Sequence, residues 1–306
     1  MGIIQSKNVV LLGMLLKSEL FTNYDIRFFP IFITKMKLFT PLILFALFLF
    51  FSCGEPTAAI DESLEDTEEI SSDVMEEKDE GKTEIKVSAD FLRGKFAPEQ
   101  HEDFVEISTK YASREGMYLQ REVYEAFKQM YEVAKKEGIS LEIRSATRNF
   151  DAQKRIWENK WLGKRPSAGV NAMETYPDPV DRANNILLYS SMPGTSRHHW
   201  GTDIDLNSFD NSWFAEGEGL KLYNWMLENA SNFGFCQPYT ELGEDRPTGY
   251  QEEKWHWSYL PLAVSYTQAA KKLLRNEDIS GFMGAETAIE IGIVENYVLG
   301  INPVCK

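Results

Sequence analysis

Histidine is scarce in this 306-residue chain, limited to His101, His198, His199 and His256. Three of the four lie in two short segments that also hold carboxylates: Pro193-Gly-Thr-Ser-Arg-His-His-Trp-Gly-Thr-Asp-Ile-Asp205 and Glu252-Glu-Lys-Trp-His-Trp257. A catalytic zinc takes three protein ligands from His and Asp/Glu and keeps one position open for water. A nearby base must then accept a proton from that water. The two segments contain that set. If 254–259 is a strand, Lys254 and His256 share one face while Trp255 and Trp257 share the other. Glu253 then sits in the preceding turn, close to a metal without binding it. Asp203 and Asp205 also share a strand face, so alternation leaves both open as ligands, and adjacent His198 and His199 leave a one-residue ambiguity.

The elements that must hold these residues are of mixed kind. Residues 119–138 place Val123, Phe127, Met130, Tyr131 and Ala134 at three- and four-residue spacing, which predicts a helix closed by Lys135, Lys136 and Gly138. Residues 140–145 alternate like a strand. Residues 151–161 read as a helix capped by Asn149 or Asp151, and 179–190 as another. Strands are expected at 202–206 and 254–259, with helices at 219–233 and 260–276. His101 falls in an acidic stretch that reads as a surface helix. Trp200, Trp255 and Trp257 could wall a pocket, but aromatics beside strands are more often core. Non-alternating elements of this kind predict an α+β fold: one domain with a small, mostly antiparallel sheet flanked by helices.

Charge divides the chain further. The net charge is −15, which argues against a nucleic-acid partner, since binding phosphates needs a basic face. Residues 1–53 carry five Lys/Arg against two Asp/Glu, and residues 54–90 carry three Lys against fourteen Asp/Glu, leaving −7 on 91–306. Residues 54–90 are too acidic and too poor in apolar residues to offset the entropy of ordering, so a disordered acidic tether is expected there. Before it, 36–53 (MKLFTPLILFALFLFFSC) has a positive start and a short apolar run, the pattern of an export signal. Its Ser52-Cys53-Gly54 ending resembles a bacterial lipobox, which implies lipidation of Cys53 and a lipid-anchored domain facing outward from the cytoplasm in the cell envelope. Residues 1–35 look like neither signal nor domain; the preferred reading starts the protein at Met36. Cys236 and Cys305 then remain, an even pair that could form a disulfide in an oxidising compartment or stay as free thiols. No P-loop, dinucleotide fingerprint or serine nucleophile elbow is present.

Ser196-x-His198-x-x-Gly201-x-x-x-Asp205 with Glu253-x-x-His256 resembles the VanY-type D-alanyl-D-alanine carboxypeptidases. The resemblance covers residues 115–265 or so. It implies that His198, Asp205 and His256 bind one Zn²⁺ ion and that Glu253 is the general base. Arg144-Ser-Ala-Thr-Arg148 looks like the family's Ser-Gly-Tyr-Arg turn, which implies that Arg148 polarises the scissile carbonyl. Gln153 and Ser196 would contact the substrate, Ser196 being equally readable as a turn or cap residue. The sequence departs from the family where Asp203 replaces a small residue and Ser145-Ala-Thr replaces Gly-Tyr. Residues 162–192 would be an insertion or lid. The activity implied is removal of the terminal D-Ala from peptidoglycan stem peptides by a monomeric zinc enzyme. The alternatives are L,D-carboxypeptidase or endopeptidase action on the same peptides, or a non-catalytic zinc-containing wall-binding module.

Overall fold

A computed structural model describes residues 87–306. The expected signal segment, Cys53 and nearly all of the acidic tether lie outside the described residues. Among those described, no helix is long and apolar enough to cross a membrane. In chain order the elements are α1 (Ala89–Leu92), β1 (Phe104–Glu106), β2 (Tyr118–Gln120), α2 (Arg121–Lys136), β3 (Ile143–Ser145), α3 (Phe150–Trp161), α4 (Ala172–Thr175), α5 (Pro179–Ile186), β4 (Asp203–Leu206), α6 (Gly217–Asn229), β5 (Phe235–Cys236), β6 (His256–Tyr259), α7 (Leu260–Leu273) and α8 (Thr287–Ile291). The class is α+β. Strands β1 and β2 form a hairpin, and the other four form an antiparallel sheet in the order β3-β4-β6-β5.

The central strands β4 and β6 are buried throughout. Alternation sorts their side chains. Ile204, Leu206, Trp257 and Tyr259 join a core with Val123, Phe127, Met130 and Ala134 of α2 and Leu222, Trp225 and Met226 of α6. Each large apolar side chain so buried contributes roughly 1.5–3 kcal/mol. The opposite face of the same two strands carries Asp203, Asp205, His256 and Ser258, in a register that sets Asp205 beside His256 and Asp203 beside Ser258. A second core gathers Trp157 and Trp161 of α3, Ala183 and Ile186 of α5, Tyr266 and Ala270 of α7, and Ala288 and Ile291 of α8.

Several boundaries differ from the sequence reading, each for a local reason. Ser88 caps α1, its hydroxyl accepting the Phe91 N–H at 3.1 Å, so residues 87–90 already belong to the folded part. Helix α2 starts at Arg121 because Leu119 and Gln120 are taken up by pairing with β1. Phe104–Glu106 is that pairing strand, not a helix. His101, half-buried, packs against the Phe96 and Phe104 rings at 5.3 and 5.0 Å. Strand β6 begins only at His256, because Lys254 is drawn aside, its N–H donating to Asn211 Oδ1 at 3.1 Å. Residues 162–192 bury Ala172, Ala183, Ile186, Leu187 and Met192 completely, while Arg165, Tyr189 and Ser190 of the same segment line a cleft.

Helix α3 matters most for the site, and its start is well marked. Asn149 Oδ1 accepts the Ala152 N–H at 2.9 Å, satisfying one of the free donors of the first turn. Asn149→Ala is expected to cost about 1 kcal/mol. Thermal melting followed by circular dichroism checks it, with a drop of roughly 2–4 °C.

Candidate active site

Gly201 ends the short turn Arg197–Trp200 in the left-handed region, with φ +72°, and turns the chain into β4. A side chain there would collide with the Phe104 ring. That turn lays His198 over Asp205, with His198 Nε2 3.2 Å from Asp205 Oδ2. From β6, His256 Nδ1 lies 3.4 Å from Asp205 Oδ1 and 3.0 Å from Glu253 Oε2. One ligand atom from each of His198, Asp205 and His256 falls within 4.8 Å of the others, and all three residues are buried.

This cluster fits a metal. Two ligand atoms on a tetrahedral zinc, at bonds of about 2.0–2.1 Å, stand roughly 3.3 Å apart, close to the separations seen here. His198 Nδ1–H donates to the Ala146 carbonyl at 2.9 Å, which leaves Nε2 with its lone pair toward Asp205. Asp205 Oδ1 is buried with no hydrogen-bond partner, an arrangement that costs free energy unless something occupies the site. The spacing left Asp203 and Asp205 equivalent, and His198 and His199 too. The structure separates both pairs. His199 turns away: its Nδ1–H donates to the Arg148 carbonyl at 2.6 Å and its Nε2 accepts the Gly194 N–H at 3.0 Å, so it is a neutral brace. Burial pushes its pKa down to about 3.

Asp203, left open as a ligand by strand alternation and marked as a departure by the family resemblance, holds His256 instead. His256 Nε2–H donates to Asp203 Oδ1 at 2.9 Å, which aims Nδ1 at Asp205 and Glu253. Such a carboxylate behind a ligating imidazole sets its tautomer and orientation. Asp203 is in turn held by the fully buried Arg197 at 3.1 Å and by the Thr202 and Ser258 hydroxyls. Arg197 also donates to Thr267 Oγ1 and Ser258 Oγ and lies over the Trp200 ring at 4.6 Å, so the buried pair is satisfied on both sides. The signal available in sequence was an Arg and an Asp six residues apart within the metal motif, with no spacing rule to pair them.

Glu253 is buried, and burial raises its carboxyl above the ordinary range against the pull of His256. Burial alone would also raise Asp205, but His198, His256 and Arg148 together bring it below its usual value. Arg148 is held by three side chains: its Nε donates to Gln153 Oε1 at 2.9 Å, and its Nη1 donates to Ser145 Oγ and to Asp205 Oδ2 at 3.4 Å. Gln153 Nε2 is tied to the Ser191 carbonyl at 2.8 Å. Gln153 therefore steadies Arg148 from within the cleft wall. Ser196 occupies the cap position of the Arg197–Trp200 turn, but its hydroxyl is buried without a partner and makes no cap bond.

His198, Asp205, His256, Glu253, Arg148 and Gln153 line one cleft of about 770 Å³. Of the three tryptophans, Trp255 reaches this cleft, beside Tyr189 and Phe209 at ring separations of 6.2 and 6.3 Å. Trp200 and Trp257 stay in the two cores.

The fold and site together define an α+β domain that joins a His-Asp-His cluster able to hold a metal to a buried carboxylate and an arginine. The VanY family model, described as D-alanyl-D-alanine carboxypeptidase, matches residues 116–262, and the chain belongs to that VanY-type family. Among curated relatives, YodJ of Bacillus subtilis, provisionally named a carboxypeptidase, is 29% identical over 167 residues, 53% of this chain and 52% of that one. A D-alanyl-D-alanine carboxypeptidase of Enterococcus faecalis is 24% identical over 140 residues, 44% of this chain and 46% of that one. The chain thus spans about half the length of these relatives. Among solved structures, a variant of the vancomycin-resistance D,D-pentapeptidase VanY in complex with Zn(II) aligns with a TM-score of 0.41 at 20% identity, covering 56% of this chain and 85% of that one.

Proposed function

We propose that the protein is a zinc-dependent carboxypeptidase that removes the terminal D-Ala from peptidoglycan stem peptides. The observation that carries this reading is the buried His198-Asp205-His256 cluster with Glu253 at its edge and Arg148 on the same cleft wall. His198, Asp205 and His256 would hold the ion. Zinc supplies a Lewis acid that makes water nucleophilic near neutral pH and polarises a carbonyl.

The chain's own groups account for the rest of the chemistry. Glu253, with its carboxyl raised by burial, takes a proton from the attacking water and passes it to the departing amine. Arg148, held in place by Gln153 and Ser145, offers N–H donors to the carbonyl oxygen as negative charge builds there. Asp203 keeps His256 in one tautomer throughout. The Cys236–Cys305 disulfide supports export to an oxidising compartment, where peptidoglycan and the proposed lipid anchor at Cys53 would place it.

The test is incubation of the protein with stem pentapeptide and tetrapeptide, with and without a chelator, following alanine loss by mass spectrometry. Chelator-sensitive loss from the pentapeptide supports the reading. Loss from the tetrapeptide alone replaces it with L,D cleavage, and no loss from either overturns it. Arg148→Lys, which keeps the charge but not the planar fork, is expected to lower kcat by roughly 10²-fold with zinc content unchanged. Steady-state kinetics with metal analysis checks this.

A further inference from the structure

Helix α3 turns Gln153, Ile156 and Lys160 into the cleft at helical spacing. Gln153 is accounted for by Arg148, but Lys160 is not used by the chemistry above. Its ammonium is half-buried and donates to Ser190 Oγ at 2.6 Å, and among the described residues no carboxylate stands within ion-pair distance of it. Burial lowers its pKa, Glu253 works against that fall, and Arg148 and Arg165 add to it. A cation taken partly out of water without a counter-ion costs free energy that an arriving anion can offset. The cleft wall repeats the theme. Outside the chemistry it carries Arg114, Arg144, Lys160 and Arg165 against Asp210 alone, on a region whose net charge is negative.

We propose that Lys160 is the anion-binding residue of the substrate cleft and receives the carboxylate at the C-terminus of the peptide, an inference that rests on the carboxypeptidase reading. Glu253 must reach the nitrogen of the leaving residue, and only one Cα separates that nitrogen from the terminal carboxylate. The terminal carboxylate therefore lies in the cleft that Glu253 and Lys160 both line, and Ser190 adjoins the Ser191 whose carbonyl anchors Gln153 beside Arg148. Ser190, already bound to the ammonium, fixes its position. Such a contact makes a free C-terminus a requirement and separates an exopeptidase from an enzyme that cuts within a chain.

The experiment compares a stem pentapeptide with its C-terminal amide on the full-length protein and on its Lys160→Gln and Lys160→Arg variants, each checked for folding by thermal melting. Kinetics are paired with calorimetric binding of D-alanyl-D-alanine and its amide. The expected wild-type result is a preference for the free acid. Lys160→Gln should lower kcat/KM for the acid by roughly 10–100-fold, chiefly through KM, and shrink the preference to a few-fold. Lys160→Arg should restore most of it. An undiminished preference in Lys160→Gln, or equal use of acid and amide by the wild type, overturns the assignment. Equal losses on acid and amide would place Lys160 on an internal carboxylate instead, which also overturns it. If the wild type hydrolyses neither peptide, the carboxypeptidase reading fails while the binding data still decide on Lys160. A Lys160-dependent preference for the acid then upholds the anion site, and its absence overturns it.

Discussion

Glu253→Gln lowers kcat for alanine release by about 10²–10⁴-fold, the range general acid–base catalysis supplies, and leaves bound zinc at the wild-type level. The substitution keeps the shape and much of the hydrogen bonding of a side chain that is 6% exposed, so folding is not at issue. What it removes is the capacity to take up and release a proton beside the cluster. Glu253 Oε2 is 3.0 Å from His256 Nδ1, near enough to serve a reacting water and outside the three-residue cluster. Kinetics with metal analysis on the same samples separates the cases. Loss of zinc along with activity would make Glu253 a ligand, and a loss of less than tenfold would remove it from proton transfer.

Cys305→Ser destabilises the protein by about 4 kcal/mol on the loop-entropy model of a disulfide. The bond joins Cys236 on β5 to Cys305 beside the C-terminus across a separation of 69 residues. The closed loop contains Glu253 and His256, and Cys305 is fully buried. Asn302 reinforces the closure, its N–H donating to the Pro238 carbonyl at 2.8 Å and its side-chain amide to the Gln237 carbonyl at 3.3 Å. Thermal melting should show a fall on the order of 10 °C, reproduced in wild type by reductant. A variant that melts with the wild type would show that packing of the 274–306 segment against the second core suffices without the bond.

The elements that were easiest to read are those whose own residues dictate them. Helix α2 carries its apolar stripe, its closing lysines and a terminal Gly138, so local propensity and tertiary burial agree on nearly the same span. The start of α3 was legible to within two residues, with Asn149 or Asp151 as its cap, and the structure gives that place to Asn149. Less legible were β1, β2 and β5, strands of two or three residues whose existence depends on partners far along the chain. The extent of β6 was misjudged at Lys254 and Trp255, because Asn211, 43 residues earlier, draws that segment out of the sheet.

Residue types and spacing alone marked out segments that could hold a metal, with three histidines, two aspartates and glutamates at intervals that suit one ion and one base. They could not say which aspartate or which adjacent histidine faces the cluster, since neighbours on one strand face or in one turn share a periodicity. Tertiary structure decided both. Pairing Asp205 with His256 across β4 and β6 put that carboxylate in the cluster, and the buried Arg197 claimed Asp203 for the far side of the imidazole. It also brought Lys160 to the cleft from another element. Distance along a chain sets helices and turns, but contact between side chains is set by which faces the packed core leaves free.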